Sequence, residues 1–582
     1  MRIFSKGVDL DMRTISLTYG GRLLTGRAGD TVASALVNAG ELACRDTAAG
    51  ARRGVFCGMG VCAECTLTVD GRPGVLACMT AARDGMAIER QPHLPVLVDD
   101  PRPELPEREL TPDVLVVGGG PAGLSAALTA ADAGLTVVLL DERAKLGGQY
   151  YKQPAADFAV DESRLDAQYR EGRALIGQVQ ASAVTVLSGV LVWGAFAADR
   201  LHAAGADARW VLRPRRLVLA TGAYERGVPM PGWTLPGVLT TGAAQSLLRS
   251  SQVAPGSRVL VSGNGPLNMQ VAAEMARAGV TVVALAELAV LRRPRAALHG
   301  ARMAAAAPGL ARDGAGYLAS LVRARVPLLG RSAVVRVEGD GAVRRAVVAR
   351  IDDQGRPRPG TYRSFDVDAV CVGFGFLPSN QVARSLGCRH HYDQTRGFLV
   401  ADCDETGRSS VPGVWIVGDS VDIAGAKVAR AAGVLAGHAV AVDLGAVGAR
   451  EATPLADRAR AALRRHRRFQ EALWAVYAAP VLTDQLAEPD TVICRCEDVT
   501  LGQVRAGLAP QLHSAGALKR VTRVGMGKCQ GRYCGPLVTE LAARQSGQPV
   551  DERAGFYSQA PYKPVEISAL AGPSAVATPG ET

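Results

Sequence analysis

The sequence predicts a multidomain α/β protein in which two dinucleotide-binding units form the core and two small cysteine-rich modules flank it. Its 582 residues are enough for three to five domains of roughly 100 to 200 residues each. Two stretches in the middle of the chain, beginning near residues 113 and 258, have the pattern of a strand, a glycine turn and a helix. Eight of the twelve cysteines fall into two quartets, one near each end.

The composition is that of ordinary globular material, with 48% apolar and 21% charged residues. We expect no transmembrane segment and a cytoplasmic location, because no apolar run approaches roughly 20 residues and the first residues lack a hydrophobic signal region. Twelve cysteines in an intracellular chain indicate metal or catalytic use. The formal charge of +11 is mild, and the basic run Arg458–Arg468 lacks interleaved aromatics. We therefore expect no nucleic-acid partner; the run is either a solvated helix face or a docking surface for an acidic subunit.

We expect eight segments along the chain. The first unit is predicted to open with strands at Thr14–Tyr19 and Arg22–Leu24 and a helix at Thr31–Ala39, before the first cysteine loop. The Pro- and acid-rich stretch after it has the composition of an extended spacer. The predicted segments are 1–98 for the N-terminal module, 99–112 for the linker, 113–235 and 363–450 for the two parts of the first dinucleotide-binding domain, 236–362 for the second such domain, 451–489 for a helical connector, 490–565 for the C-terminal module and 566–582 for a frayed tail.

The N-terminal cysteines are spaced C-x4-C-x2-C-x12-C. Four thiolates are what one [2Fe–2S] cluster needs, and the spacing of the first three cysteines matches the plant-type ferredoxin pattern. Zinc is the alternative, but zinc sites favour paired C-x2-C hooks. The module resembles the short ferredoxin-like β-grasp domains of molybdenum hydroxylases, in which the fourth cysteine also follows early. The predicted ligands are Cys57, Cys62, Cys65 and Cys78.

The first glycine-rich turn has G-x-G-x-x-G spacing at Gly118, Gly120 and Gly123, between the apolar run DVLVV and a helical pattern. The first glycine permits the tight turn, the second lets the backbone approach a pyrophosphate, and the third allows the helix to pack on the sheet. The helix N-terminus then binds phosphate, and Asp141, at the end of the next strand, is predicted to accept from a ribose hydroxyl. The adjoining residues Pro121, Ala122 and Glu142 complete this predicted site.

Later segments favour FAD as the ligand of this turn. The chain resembles the flavoprotein superfamily with two dinucleotide-binding domains in the stretches LGGQ, ATGAYERG and VGDS. In that superfamily the Gly-Asp pair lies near the ribityl and pyrophosphate of FAD. The resemblance adds Gly148, Gln149, Ala220, Thr221, Gly222, Gly418 and Asp419 to the predicted FAD site. The superfamily's reactive cysteine pair is missing from these stretches, so we expect no disulfide chemistry at this flavin.

A narrower resemblance rests on Ala220–Gln245, Cys371–Cys388 and Ile493–Arg505. These stretches are similar to the FAD-containing alpha subunits of bacterial multi-subunit amine and amino-acid dehydrogenases, such as hydrogen cyanide synthase, opine oxidases and proline or hydroxyproline dehydrogenases. The alpha subunit of sarcosine oxidase is a more distant relative. The resemblance extends over nearly everything after residue 110. The N-terminal module resembles the small [2Fe–2S] subunit of the same systems, fused in front.

The second glycine turn keeps Gly263 and Gly265, but Asn268 occupies the third glycine position. A side chain there is expected to push the helix away from the strand. Glu287 is near the position of a ribose partner without being a clear one. Binding of a nucleotide, either NAD(P) or ATP/ADP, and a purely structural remnant are both open.

The C-terminal cysteines are spaced C-x-C, then 32 residues, then C-x4-C. They resemble the [2Fe–2S] domain of bacterioferritin-associated ferredoxin, a small helical module whose usual second hook is C-x2-C. The wider hook leaves zinc or a vestigial site as alternatives. The predicted ligands are Cys494, Cys496, Cys529 and Cys534. The remaining Cys44, Cys371, Cys388 and Cys403 are expected to be small buried hydrophobic residues.

A flavin between two iron–sulfur centres converts two-electron chemistry into single-electron steps. No motif provides a dedicated substrate base, so the catalytic residues are unknown. The resemblance implies that the amine is oxidised by an FAD-containing beta subunit and that this chain passes the electrons to a downstream acceptor. The alternatives are a self-sufficient NAD(P)H-dependent flavin and iron–sulfur reductase, and a regulator without turnover.

Overall fold

The computed structural model describes residues 1–3, 7–8, 13–96, 105–290, 294–448, 454–508 and 514–570. The N-terminal module is a five-stranded sheet of order β2-β1-β7-β5-β6 that covers one helix. The predicted opening strands and helix are confirmed, and the Thr31 side chain caps that helix by accepting from the Ser34 backbone N–H. Its elements are β1 Thr14–Tyr19, β2 Arg22–Arg27, α1 Val32–Asn38, β3 Ala43–Asp46, β4 Arg52–Gly54, β5 Thr66–Val69, β6 Arg72–Leu76 and β7 Ala87–Arg90.

The predicted linker contains a strand. Residues 99–104 lie outside the described ranges, but Glu107–Leu110 pairs in parallel with Arg209–Leu212 and extends a four-stranded sheet. The elements up to the second dinucleotide-type unit are β8 Glu107–Leu110, β9 Val114–Val117, α2 Pro121–Asp132, β10 Val137–Asp141, α3 Ala167–Gln180, β11 Thr185–Ser188, β12 Leu191–Ala197, β13 Arg200–Ala204, β14 Arg209–Leu212, β15 Arg216–Leu219 and β16 Ala223–Glu225, with a 3-10 turn at Glu162–Arg164.

The second unit has its own five-stranded parallel sheet, of strand order β17-β24-β18-β19-β20. The predicted boundary at residue 363 assigned Ala369–Gly373 to the first domain. The structure places this strand inside the second sheet, where it pairs in parallel with Val238–Thr240 on one side and with Val259–Gly263 on the other. The elements are β17 Val238–Thr240, α4 Thr241–Ser251, β18 Arg258–Gly263, α5 Pro266–Arg277, β19 Thr281–Glu287, α6 Pro294–Ala306, α7 Pro308–Arg323, β20 Leu328–Gly330, β21 Ser332–Glu338, β22 Arg345–Arg350, β23 Arg363–Asp366, β24 Ala369–Gly373, β25 Phe376–Pro378 and α8 Gln381–Ser385.

The chain then returns to the first domain. The next elements are β26 His390–Asp393, β27 Phe398–Ala401, β28 Val414–Ile416, a 3-10 turn at Gly418–Ser420, α9 Ala426–Asp443 and α10 Pro454–Val476. Strand β28 completes a parallel sheet of order β11-β10-β9-β15-β28. Helix α9 packs closely on α2 because Gly433 has no side chain: a Cβ there would lie 2.1 Å from the Ala122 carbonyl oxygen. The second dinucleotide-type unit is thus inserted into the first, as expected from the order of the motifs.

The C-terminal module is small and mainly helical. Its elements are β29 Val492–Cys494, β30 Val499–Thr500, α11 Leu501–Gly507, α12 Ala515–Thr522, α13 Gly535–Ser546 and α14 Ile567–Leu570. The predicted tail lies outside the described residues from 571 onward. Within the described ranges, none of the helices combines the length and the apolar character needed to cross a membrane. The basic run Arg458–Arg468 lies in α10, where it was expected to be helical.

Candidate functional site

A cavity of about 1390 Å³ lies between the two dinucleotide-type units. The first glycine turn reaches it at Gly118 and the second at Gly265. Met59, from the first cysteine loop, and Arg532, from the second, also line it. One cavity therefore touches both glycine turns and both cysteine-containing loops.

The first glycine turn fits the role that its spacing predicts. Gly118 has φ of +111°, and a Cβ at this position would lie 2.3 Å from the Ala220 carbonyl oxygen. A Cβ at Gly123 would lie 1.8 Å from the Gly118 carbonyl oxygen, so the helix α2 approaches the strand as closely as the backbone allows. Helix α2 begins with Pro121 after Gly120, and its N-terminus faces the cavity. This arrangement leaves backbone N–H groups for a pyrophosphate.

The two acidic residues after β10 have different environments. Asp141 is buried, and its carboxylate accepts backbone N–H groups from Gly119 at 2.7 Å and from Arg143 at 2.8 Å. Burial raises the pKa of Asp141 to about 6. Glu142 lies half-buried on the cavity wall and pairs with the ammonium group of Lys563 at 2.6 Å. Asp141 therefore holds the glycine turn in place, and Glu142 is the carboxylate with its side chain at the cavity rim.

The structure brings most of the predicted FAD residues together. Gly123 and Gly418 do not line the cavity; both are packing positions, and a Cβ at Gly418 would lie 2.9 Å from the Ala122 Cβ. The predicted residues on the cavity wall are Gly118, Gly120, Pro121, Ala122, Asp141, Glu142, Gly148, Gln149, Ala220, Thr221, Gly222 and Asp419. No cysteine of the described chain lines the cavity.

Sequence reasoning missed two buried charged residues that line the same cavity, Lys152 and Glu225. The Lys152 ammonium donates to the Gln245 side-chain oxygen at 2.9 Å. The Glu225 carboxylate accepts from the Gly242 backbone N–H, at the start of α4, at 2.9 Å. Burial lowers the pKa of Lys152 to about 7 and raises the pKa of Glu225 to about 7. The available signal was the pair of charged residues in LGGQYYKQP and ATGAYERG, directly after the predicted FAD stretches.

The N-terminal cysteines form a buried group. The Cys57 thiol lies within hydrogen-bonding reach of Cys62 and Cys78, and Cys78 within reach of Cys65. Two backbone N–H groups donate to sulfur in the same loop, from Cys62 to Cys57 at 3.4 Å and from Glu64 to Cys62 at 3.4 Å. Backbone N–H donors to sulfur are among the features that set the potential of an iron–sulfur cluster.

The C-terminal cysteines lie in two pairs, Cys494 with Cys534 and Cys496 with Cys529. In the described ranges, no three His, Cys, Asp or Glu side chains are arranged around one metal ion. A [2Fe–2S] cluster contains two irons, each bound by two thiolates, so its four sulfurs are spread over two centres. The two sulfur pairs of the C-terminal quartet and the connected sulfurs of the N-terminal quartet fit this donor set. All twelve cysteines are free thiols; Cys44, Cys371 and Cys388 are buried as expected, whereas Cys403 is only partly buried.

The two cysteine loops contact each other. The ring of Phe56, next to Cys57, lies edge-on to that of Tyr533, next to Cys534, with 5.3 Å between centroids. Trp233, from the segment between the two sheets, packs against Phe56 at 5.7 Å. Arg495 stacks over Phe56 with its guanidinium carbon 3.9 Å from the ring centroid. The two modules therefore share a buried aromatic interface.

In the second glycine turn, the Asn268 side chain is buried and hydrogen-bonded. The Asn268 amide donates to the Gly373 carbonyl at 2.8 Å and accepts from the Thr241 hydroxyl at 2.8 Å. These bonds tie α5 to β24 and α4. Glu287, at the end of β19, accepts from the backbone N–H of Gly265 at 3.2 Å. Burial raises the pKa of Glu287 to about 8.

Three family models match this architecture. Residues 112–433 match the pyridine nucleotide-disulphide oxidoreductase model. The chain belongs to this family. Residues 12–93 match a 2Fe-2S iron-sulfur cluster binding domain, and residues 492–544 a BFD-like [2Fe-2S] binding domain.

Curated relatives place the chain more narrowly. The HcnB subunit of hydrogen cyanide synthase from Pseudomonas aeruginosa is 32% identical over 78% of this chain and 97% of the relative. A subunit of the opine oxidase from Agrobacterium tumefaciens is 31% identical over 79% of this chain and 91% of the relative. The alpha subunit of sarcosine oxidase from Corynebacterium sp. strain P-1 is 28% identical over 96% of this chain, which spans 56% of that relative.

A solved structure agrees on the fold. L-proline dehydrogenase from P. horikoshii superposes with a TM-score of 0.71 at 23% identity, over 97% of this chain and 99% of that chain. Together with the family models, the relatives identify an FAD- and [2Fe–2S]-containing oxidoreductase subunit, with a two-dinucleotide-domain core and a [2Fe–2S] domain at each side. The predicted cofactors, FAD and two [2Fe–2S] clusters, are confirmed at this level.

Proposed function

We propose that this chain is the electron-transfer, alpha-type subunit of a heteromeric FAD-dependent amine or amino-acid dehydrogenase or oxidase in the cytoplasm. The observation that carries the proposal is the shared cavity: Met59 and Arg532, from the two cysteine loops, line the same cavity as the first glycine turn. When bound, FAD accepts a hydride and releases electrons singly, and each [2Fe–2S] cluster takes one. The eight quartet cysteines would hold the clusters.

The residues of the first glycine turn would hold the FAD. The N-terminus of α2 binds the pyrophosphate through its backbone N–H groups and its dipole. Asp141, whose carboxylate accepts two backbone bonds, keeps the turn in shape. Glu142 would accept from the ribose hydroxyls at the cavity rim, with Lys563 balancing its charge. The ribose partner would then be Glu142, and not the neighbouring Asp141 that the sequence favours.

Lys152 and Glu225 would handle protons on the cavity wall. Both side chains are buried, and Glu225 is fixed by the N-terminus of α4 while Lys152 is fixed by Gln245. Groups with pKa values near the working pH hold and release protons with the least cost. The Lys152 Nζ and the Glu225 carboxylate are therefore suited to take up or release a proton when a cofactor bound in the cavity is reduced or oxidised.

The amine substrate would be oxidised on a partner, an FAD-containing beta subunit, and the electrons would leave through a downstream acceptor. The relatives support this, since HcnB and the opine oxidase protein are both named as subunits. The test is to purify the chain alone and together with its co-expressed partner and to measure dye-linked oxidation of amino acids. We expect activity only in the complex; efficient oxidation by the chain alone would overturn the proposal.

A self-sufficient NAD(P)H-dependent reductase is the second candidate. It is favoured by the second glycine turn, because Gly265 and Asn264 line the cavity that the first turn also lines. Stopped-flow mixing with NADH or NADPH separates the two: rapid bleaching of the flavin supports the reductase, and no bleaching rejects it. Thermal-shift titration with ATP and ADP tests whether this turn binds an adenine nucleotide without hydride transfer.

A further inference from the structure

A buried ion cluster joins the two iron–sulfur modules. Glu64, between the ligands Cys62 and Cys65, has a fully buried side chain. Its carboxylate contacts Arg45 at 2.5 Å and Arg53 at 3.7 Å in the same module. The third contact comes from the other module: Arg495, between Cys494 and Cys496, reaches the Glu64 carboxylate at 3.2 Å. We call Arg45, Arg53, Glu64 and Arg495 the arginine bridge.

The bridge excludes water. The side chains of Arg53 and Arg495 are 3% exposed, and Phe56 and Trp233 cover the guanidinium of Arg495. The Arg495 guanidinium also donates to the Trp233 carbonyl at 2.7 Å. Ions taken out of water need several partners, and the removal of one leaves the others uncompensated. The relative position of the two cysteine loops is thereby fixed.

The bridge carries a net positive charge between two anionic sites. Three guanidinium groups face the carboxylate of Glu64 and that of Asp498, which pairs with Arg53. A cluster held by four thiolates is negatively charged and becomes more so on reduction. Positive charge at low local dielectric favours the reduced form of both clusters. The Nε donors of Arg45, Arg53 and Arg495 also lack hydrogen-bond partners in the described part of the chain.

Two short paths connect the cluster ligands across the interface. One runs from Cys65 through the neighbouring Glu64, across the 3.2 Å ion pair, and through Arg495 to Cys494 or Cys496. The other runs from Cys57 through Phe56 and across a ring contact to Tyr533 and Cys534. Each path crosses one non-covalent gap. Tunnelling weakens more slowly through bonded atoms than through empty space, so both paths favour electron transfer.

We propose that the two [2Fe–2S] clusters exchange electrons directly with each other across the arginine bridge, and that Glu64 and Arg495 are positioning residues that set both potentials together. In this exchange one cluster loses one electron and the other gains it, and no bond or proton moves. This inference rests on the two cluster assignments and not on the partner subunit. Its test needs no substrate, so it fails or succeeds separately from the proposed function.

The first test is electron paramagnetic resonance of the dithionite-reduced full-length protein. We expect the two reduced clusters to interact magnetically, so that the fully reduced spectrum is broadened or split and relaxes faster than the half-reduced one. Cys62→Ser and Cys529→Ser give single-cluster reference spectra. A fully reduced spectrum that equals the sum of two non-interacting signals, with unchanged relaxation, would overturn the proposal. The wild-type comparison of half-reduced and fully reduced protein decides this even if the cysteine variants do not fold.

The second test is a spectroelectrochemical titration of charge variants. Arg495→Gln removes a positive charge from the C-terminal module, and both midpoint potentials are expected to become more negative. Glu64→Gln removes a negative charge from the N-terminal module and should shift both in the positive direction, while Arg495→Lys should restore the potentials in part. The matched control is Arg523→Gln, because Arg523 pairs with Glu497 next to Cys496 but is 68% exposed and outside the bridge. A shift confined to the cluster on the mutated module would reject the bridge.

Discussion

At the residue scale, the site depends on two kinds of position. At the first kind a Cβ would clash with the backbone, and at the second a buried carboxyl group accepts hydrogen bonds from particular backbone N–H groups. Gly123 belongs to the first kind and Glu287 to the second. Asp141 and Glu142 illustrate how adjacent carboxyl groups take separate roles: backbone donors occupy the first, and the second remains at the cavity rim. Each of these positions gives a prediction that one substitution tests.

Gly123→Ala is expected to abolish FAD binding. The new Cβ would lie 1.8 Å from the Gly118 carbonyl oxygen, so α2 must move away from the strand and the pyrophosphate loses its N–H donors. Flavin absorbance per purified chain measures the outcome. Gly177→Ala in helix α3 is the control, because a Cβ there meets nothing within 4 Å. Full flavin content in Gly123→Ala would contradict the assignment of this turn.

Glu287→Gln tests how a buried carboxyl couples stability to pH. The folded state raises the pKa of Glu287 from 4.5 to about 8, because burial penalises the charge. The folded protein therefore holds this proton more tightly, and that stabilising contribution is lost as pH rises from about 4.5 through about 8. Glutamine does not ionise, so the variant should gain free energy of unfolding relative to the wild type across this window.

Urea denaturation of nucleotide-free protein at several pH values between 5 and 9 measures the difference, at roughly 1.4 kcal/mol for each unit of pKa shift. Glu338→Gln, at an exposed position, serves as the control. Parallel pH profiles of Glu287→Gln and wild type would show that the buried carboxyl does not titrate as inferred.

At the element scale, short loops between regular elements carry the chemistry, and helices hold those loops in register. The first quartet lies on the loops after β4 and β6, and the second on β29, the turn that follows it and the turn before α13. In helix α5, where asparagine replaces the third glycine of the motif, Asn268 in the first turn forms hydrogen bonds with β24 and α4.

Asn268→Ala should loosen this second turn. It leaves the buried Thr241 hydroxyl without this partner and removes one of two donors to the buried Gly373 carbonyl, which also accepts from the Asn264 backbone N–H, at a cost of about 1 to 3 kcal/mol. The midpoint of thermal unfolding should fall relative to the wild type. Gln270→Ala, two residues further along the helix and only partly buried, should change it less. Equal effects of the two substitutions would argue against a structural role for Asn268.

Cys62→Ser tests the first quartet as a unit. Two [2Fe–2S] clusters contain about four irons and four acid-labile sulfides per chain, and loss of one ligand set should halve both counts. Colorimetric iron and sulfide analysis gives the answer. Cys403→Ser, at a cysteine outside both quartets, should leave the counts unchanged. About two irons in the unmodified protein would remove one of the sites.

At the scale of the whole molecule, three regions of the chain pack together in one buried aromatic cluster. Phe56 of the N-terminal module, Trp233 of the central segment and Tyr533 of the C-terminal module pack together under Arg495. The Trp233 indole also donates to the Val492 carbonyl at 2.6 Å. The flanking modules are therefore packed into the flavoprotein core.

Phe56→Ala should destabilise the molecule across its domains. The side chain is 1% exposed, and truncation of a buried phenylalanine costs about 3 to 5 kcal/mol. Differential scanning calorimetry should show a lower unfolding temperature, with the N- and C-terminal modules affected together. Phe196→Ala, at a ring that is 52% exposed, is the control. Destabilisation limited to the N-terminal module would mean that the modules are joined more weakly than their contacts indicate.

The sequence by itself determined the local chemistry of this protein. The cysteine spacings, the first glycine turn and the opening strands and helix are set by residues close together in the chain, so their patterns predicted the cofactors and the fold class. The same holds for the insertion of one dinucleotide-type unit into the other, which follows from the order of the motifs.

Only the tertiary structure decided which contacts these units make with each other. It placed Ala369–Gly373 in the second sheet and brought Lys152 next to Gln245. It also showed that the Asp141 carboxylate accepts a hydrogen bond from the backbone of the glycine turn. It also joined Glu64 to Arg495, more than four hundred residues away. Such contacts depend on how whole domains pack, so no local pattern of hydrophobicity or spacing encodes them. Which residues pair depends on the burial and the charge balance of the assembled interface.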